Sequence, residues 1–245
     1  SMQHVSSLIW LNDEQILYTV QEPKTNRTFQ VKLHQLNTPQ KTDSLLFQED
    51  DFRFQVSIDK SKSKDYIYLS VGSSNTTEIH FMNLKAVERG FHLMAPREGT
   101  HEYTVLDYKN EFYIISNKDS EDYEVYKCDE SAYSKNDWKP FLKPKKGTIL
   151  TSFVIFDKYL VVGESKDMKN RLKVIDKATN KSLYTKISED IHLISPRSNP
   201  KFDADTIQYT VSSMKTPSQV WNLNMADKGF RLVKEQEVKN YFRSN

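Results

Sequence analysis

A chain of 245 residues with six glycines, eight prolines and 12% aromatic residues is long enough to bury a sizeable core and is neither collagen-like nor of low complexity. Its 35 basic and 33 acidic residues leave a net charge of +2, which gives no electrostatic reason to expect nucleic acid or an anionic membrane as a partner. The longest apolar runs are near five residues, far short of the roughly 20 that span a bilayer, so no transmembrane helix is expected. A single cysteine, Cys128, excludes an intramolecular disulfide and a cysteine-rich metal site, and fits a reducing, cytoplasmic compartment. Ser1 before Met2 has the look of a cloning scar, and no basic region leading into an apolar stretch marks a secretory leader.

In chain order, short β-branched and aromatic runs with alternating polarity come in groups of four. The first group is Ser6 to Leu11, Ile16 to Val20, Phe29 to Leu36 and Leu45 to Gln48. The second is Phe54 to Asp59, Tyr66 to Val71, Glu78 to Leu84 and Phe91 to Ala95, and the third Glu102 to Tyr108, Phe112 to Ser116, Tyr123 to Cys128 and Trp138 to Leu142. Ser152 to Asp157, Tyr159 to Glu164, Arg171 to Lys177 and Leu183 to Ile187 make the fourth. Ile191 to Ser195, Ile207 to Ser213, Gln219 to Met225 and Phe230 to Lys234 make the fifth.

The second members start at 16, 66, 112, 159 and 207, spaced by 50, 46, 47 and 48; the third members are spaced by 49, 45, 48 and 48. Two series with one period identify an internal repeat. Polar links such as Gln21 to Thr28, Gly72 to Thr77, Asn117 to Asp122 and Ser165 to Asn170 read as hairpin turns, because Asn, Asp, Gly and Ser tolerate or cap left-handed backbone. Four antiparallel strands per 45 to 50 residues is the make-up of a β-propeller blade. An all-β fold of about five blades is therefore expected, at approximately 5–50, 51–98, 99–146, 147–190 and 191–238, with 239–245 as a C-terminal tail. The Trp-Asp and Gly-His pairs of WD40 blades do not occur, and only Leu84 to Gly90 and Lys234 to Phe242 could hold a helical turn.

No catalytic, cofactor-binding or metal-ligating residue can be nominated. The six glycines supply no G-x-S-x-G nucleophile turn; the nearest fragment, Gly163 to Lys166, lacks the second glycine and leads toward a hairpin. His4, His34, His80, His92, His101 and His192 show no zinc-binding spacing and read as structural or surface residues. Phosphate-cradling glycine loops are lacking, so no cofactor is expected. Glu49 to Asp51 and Asp119 to Asp122 read as solvated loops rather than calcium sites, Lys139 to Lys146 as a solvated inter-strand loop, and Cys128 as a structural thiol.

Some words of the sequence are more specific than a propeller pattern. Phe52-Arg53-Phe54 leads into Tyr66 to Ser74 and Thr77-Glu78, followed by Ala95 to Glu98 with Glu102-Tyr103. Further on come Asn199 to Asp203, Tyr209, Ser212-Ser213, Thr216 to Ser218, Val220 and the closing Leu232 to Val238. In collinear order from near Trp10 to Val238, these resemble the propeller of oligopeptidase B, in the prolyl oligopeptidase family of serine peptidases. The resemblance implies a seven-bladed parent whose last five blades are represented, with the tail leading toward an α/β-hydrolase domain that carries a Ser-Asp-His triad. No triad residue has a matching position. It also implies a parent that cleaves short peptides after Arg or Lys, with the propeller limiting substrate size by covering the active site.

Two functions compete at this level. The chain is either the non-catalytic, peptide-gating part of such a peptidase, with peptide substrate and hydrolase domain as partners, or an autonomous interaction propeller with no peptidase role. Open blade edges would expose unpaired backbone groups and invite self-association.

Overall fold

A computed structural model of the chain describes residues 3–185 and 192–238. It contains five four-stranded antiparallel sheets, each a meander of consecutive strands. The chain divides into two compact units, residues 1–121 with 125–142, and residues 122–124 with 143–245.

Three sheets belong to the first unit. The first contains β1 (Val5–Trp10), β2 (Gln15–Gln21), β3 (Thr28–Gln35) and β4 (Ser44–Gln48); the second β5 (Gln55–Lys60), β6 (Tyr66–Gly72), β7 (Thr77–Asn83) and β8 (His92–Ala95). The third contains β9 (Tyr103–Tyr108), β10 (Glu111–Ser116), β11 (Glu124–Asp129) and β12 (Lys139–Leu142). Alternation along each strand sends every other side chain to the same face, so each sheet can pack on a neighbour. Leu17 and Val31 of the first sheet meet Val56, Ile58, Ile67, Leu69 and Val71 of the second. From the opposite face of the second sheet, Tyr66, Tyr68, Ile79 and Phe81 meet Tyr103, Val105, Phe112, Ile114 and Tyr126 of the third. Each such aliphatic or aromatic side chain contributes about 1.5–3 kcal/mol when fully buried.

The second unit holds two sheets. One is β13 (Ile149–Ile155), β14 (Tyr159–Lys166), β15 (Lys169–Asp176) and β16 (Ser182–Tyr184); the other is β17 (Leu193–Pro196), β18 (Thr206–Ser212), β19 (Gln219–Asn224) and β20 (Phe230–Glu235). Val161, Leu172 and Val174 pack with Ile194, Ile207, Tyr209, Val211 and Leu223 in its core. Gly163 of β14 faces β13 so closely that an added Cβ would lie 2.2 Å from Ser152 Oγ and 3.0 Å from the Ser152 amide nitrogen.

All twenty expected strands have a counterpart, and the differences lie at their ends. Tyr123 is not the first residue of its strand: its φ of 60° takes it out of the extended region, and β11 begins at Glu124. The link expected over Ser165 to Asn170 is shorter, because the hairpin continues to the Lys166–Lys169 pair and turns on Asp167 and Met168, both at positive φ as a two-residue type I′ turn needs. Lys139 to Lys146 is not wholly a loop. Lys139–Leu142 pairs with β11 as an edge strand, a position that tolerates Pro140 because its missing N–H faces no partner. Of the two helical candidates, Leu84 to Gly90 holds a 3₁₀ turn at Val87–Arg89, while Lys234 and Glu235 are strand. Residues 186 and 187 of the fourth group, Ile191 of the fifth and the tail 239–245 lie outside the described residues.

Candidate functional site

A cleft of the first unit, about 370 Å³, is lined by Asp51, Arg53, Phe54, Thr76, Arg97, Glu98 and Gly99. Three connections build it: the turn from β4 to β5, the β6–β7 hairpin and the passage from β8 to β9. The β4–β5 turn is held by Arg27, which projects from the β2–β3 turn. Its Nη1 donates to the carbonyls of Asp51 (3.1 Å) and Phe54 (2.9 Å), and its Nη2 to the carbonyl of Glu49 (3.2 Å) and to Glu22 Oε1 (2.7 Å). One planar guanidinium thus satisfies carbonyls that a sharp turn leaves without strand partners. The hairpin is fixed to the third wall by Thr76 Oγ1, which donates to the Gly99 carbonyl at 2.6 Å.

Arg97 forms the back of the cleft. Its Nη2 donates to Glu49 Oε2 at 2.6 Å, its Nε lies 3.4 Å from Glu78 Oε2, and its guanidinium carbon stands 4.2 Å from the centre of the Phe54 ring. Glu49 is 4% exposed; its other oxygen accepts the Asp51 amide at 2.8 Å. The reading of Glu49 to Asp51 as a solvated loop is therefore corrected at Glu49, because a cation 48 residues away in sequence compensates its desolvation. Glu78 also meets His80 Nε2 at 2.9 Å, and that hydrogen bond, with the Arg97 amide and charge behind it, holds its carboxyl below the usual range. At the mouth, Arg53 forks onto Asp51 through Nε and Nη2, and its hydrogen bonds lower the Asp51 carboxyl to about 2. Glu98 is paired with Lys135 at 2.7 Å.

The other groups considered from sequence are dispersed. His34 Nδ1 meets Asp43 Oδ1 at 2.8 Å, and Asp43 Oδ2 accepts the Tyr18 hydroxyl at 2.7 Å, which ties β2, β3 and the segment before β4 together. The His92 ring packs against Phe81 and Tyr133; His4 is exposed; His192 Nε2 meets the Asn170 carbonyl. Cys128 is buried, and burial, reinforced by Asp137, Asp129 and Glu111, pushes its thiol up to about 12, so it is a protonated, packed side chain at neutral pH. Gly163 to Lys166 is continuous strand and presents no nucleophile turn. Among the described residues, no group of three or more His, Cys, Asp or Glu is placed to hold a metal ion, and no helix is long and apolar enough to cross a membrane.

Sequence reasoning missed one serine and histidine pair. His101 Nε2 lies 2.8 Å from Ser116 Oγ, and the His101 ring stacks on Tyr103. Ser116 is fully buried and, among the described residues, His101 Nδ1 has no hydrogen-bond partner, so no carboxylate among them orients the ring as hydrolytic catalysis would require. Desolvation keeps this imidazole below its usual pKa. No local spacing signals the pair, since it forms across the β9–β10 hairpin.

Residues 2–236 match the family model described as prolyl oligopeptidase, N-terminal β-propeller domain. The chain belongs to this propeller family. Dipeptidyl aminopeptidase BI of Pseudoxanthomonas mexicana is 29% identical over 238 residues, 96% of this chain and 32% of that protein. Protease 2 of Moraxella lacunata is 21% identical over 220 residues, 89% of this chain and 31% of that protein. Among solved structures, oligopeptidase B from Leishmania major superposes with a TM-score of 0.85 at 17% identity, covering 97% of this chain and 35% of that one. Oligopeptidase B from Trypanosoma brucei, in a closed form with covalently bound antipain, gives 0.83 at 22% identity, covering 96% and 35%. The five sheets are thus blades of a prolyl oligopeptidase-type propeller, and the chain spans about a third of the length of the relatives it matches.

Proposed function

We propose that this chain is the non-catalytic, substrate-gating propeller of an oligopeptidase B-like serine endopeptidase. It works in the cytoplasm beside an α/β-hydrolase domain, and the whole protein cleaves short peptides after Arg or Lys. The carrying observation is the propeller-family match over residues 2–236. In this reading the blades run approximately 5–50, 51–98, 99–146, 147–190 and 191–238, and 239–245 leads toward the hydrolase domain. The chain alone should not cleave a chromogenic peptide ending in Arg. Cleavage abolished by a serine hydrolase inhibitor would overturn the non-catalytic assignment. A downstream reading frame encoding G-x-S-x-G would support the parentage, and one without it would count against it.

The dipeptidyl aminopeptidase relative favours a second reading, in which the parent releases dipeptides from amino termini. A substrate with a blocked amino terminus separates the two, because only an endopeptidase cleaves it. Separately, β20 is an edge strand with Leu232 and Val233 substantially exposed, which favours self-association through blade edges. Light scattering at increasing concentration tests that reading, and a monomer throughout would remove it.

A further inference from the structure

The cleft beside Phe54 has uncommitted hydrogen-bond donors. Arg97 uses Nη2 and Nε on Glu49 and Glu78, and Arg53 uses Nε and Nη2 on Asp51. Among the described residues, neither Nη1 has an acceptor. Both guanidinium groups stand against the Phe54 ring, Arg97 at 4.2 Å and Arg53 at 5.9 Å, and both line the cleft. The side chain of Arg97 is 31% exposed and that of Arg53 is 70% exposed. Arg97 is therefore positioned by Glu49 and Glu78 while one end stays accessible, and Arg53, held on Asp51, presents its Nη1 at an exposed position.

The two lining carboxylates do not cancel this donor capacity, since each already has a cation: Asp51 has Arg53 and Glu98 has Lys135. A lining of two guanidinium groups and two carboxylates carries no net charge, which suits a dipolar ligand better than a free dianion. A peptide ending fits that description, with a carboxylate for the Nη1 groups and an adjacent N–H for a rim carboxylate, while the Phe54 ring, only 7% exposed, backs the two guanidinium groups from the core. The volume of about 370 Å³ lies near the small end of the roughly 300–1,000 Å³ of ligand sites. We propose that this cleft is a carboxylate-binding site for a peptide, with Arg97 as the inner donor and Arg53 as the exposed one. Nothing in it depends on peptidase activity, because no hydrolytic group takes part.

The test is calorimetric titration of the full chain with N-acetyl-trialanine as the free acid, the same peptide as the C-terminal amide, and an amidated acetyl-Ala-Ala-Glu. The free acid should bind about tenfold or more tightly than the amide, as expected for charge-assisted hydrogen bonds. The glutamate peptide distinguishes the source of the carboxylate: binding like the acid assigns any peptide carboxylate, and binding like the amide restricts the site to chain ends. Arg53→Gln, at an exposed position, should cut the acid-to-amide ratio severalfold without altering the thermal midpoint. Arg97→Lys, which keeps the charge but loses the fork, should cut it as well. Equal binding of acid and amide, no binding of either at 10-millimolar order, or a ratio unchanged by Arg53→Gln would each overturn the proposal.

Discussion

The hydroxyl of Tyr103 in β9 clasps the backbone of Ala95 in β8, donating to its carbonyl at 2.6 Å and accepting from its amide at 3.2 Å. The same oxygen accepts the Ile79 amide of β7 at 2.8 Å. It sits where the β7–β8 register slips between the Ile79–Ala95 and His80–Leu93 pairs, a bulge that leaves ladder groups unpaired. A side chain from the third blade thereby completes the hydrogen bonding of the second. Tyr103→Phe should cost about 1–3 kcal/mol, the penalty for leaving buried backbone groups unsatisfied, read from urea denaturation. A change below 0.5 kcal/mol would show that the bulge is satisfied in another way.

Glu49→Ala should be more damaging than its place in an acidic run suggests. Removing one partner of a buried ion pair costs about 3–5 kcal/mol, and the partial exposure of Arg97 puts the expected loss at the lower end of that range. Asp50→Ala, one residue along and exposed, is the control and should change the midpoint little.

The depressed carboxyl of Glu78 predicts a pH dependence. A group whose folded pKa lies below its unfolded value contributes stability above the unfolded pKa, and that contribution disappears as the pH falls through the folded value. Glu78→Gln should therefore destabilise at pH 7, with the difference from the parent shrinking as the pH drops below about 4.5. A penalty equal at pH 7 and pH 3 would contradict the assignment.

Gly163→Ala should destabilise by about 1–3 kcal/mol through overpacking against β13. Ser152→Ala in the same chain should recover part of this, since it removes the nearest oxygen but neither Thr151 Oγ1 at 2.6 Å nor the backbone nitrogen at 3.0 Å. Full recovery would mean that the strand approach is not the constraint.

Cys128 should react with an aromatic disulfide reagent at pH 8 at least on the order of 100-fold more slowly in the native chain than in urea, because both burial and the raised thiol pKa suppress the thiolate. Rapid native labelling would show that this part of the blade opens readily.

The two middle strands of each sheet were legible because each carries buried residues, and burial writes a pattern that needs no partner information; the fourth strands β4, β12, β16 and β20 carry none and were placed by the repeat instead. Their ends were less so. Tyr123 looks like a strand residue until its positive φ is seen, and Pro140 is acceptable in a strand only because that strand is an edge. The chemistry of the cleft was not legible. Glu49 and Arg97 each look like a surface charge in a polar loop, and their pairing is created by chain connections that bring the ends of β4 and β8 together. The family words Phe52-Arg53-Phe54 and Ala95 to Glu98 supply much of its lining, so the resemblance had marked the place without indicating its chemistry.

The grip of Arg27 on three carbonyls of the β4–β5 turn has a kinetic consequence. The tip of the β2–β3 hairpin and the strand entering the second blade share one side chain, so neither can fray alone without stranding a partly desolvated guanidinium. Amide hydrogens of β3 and β5 should therefore exchange with solvent deuterium as a single cooperative group, and Arg27→Ala should split that group into two with separate opening energies.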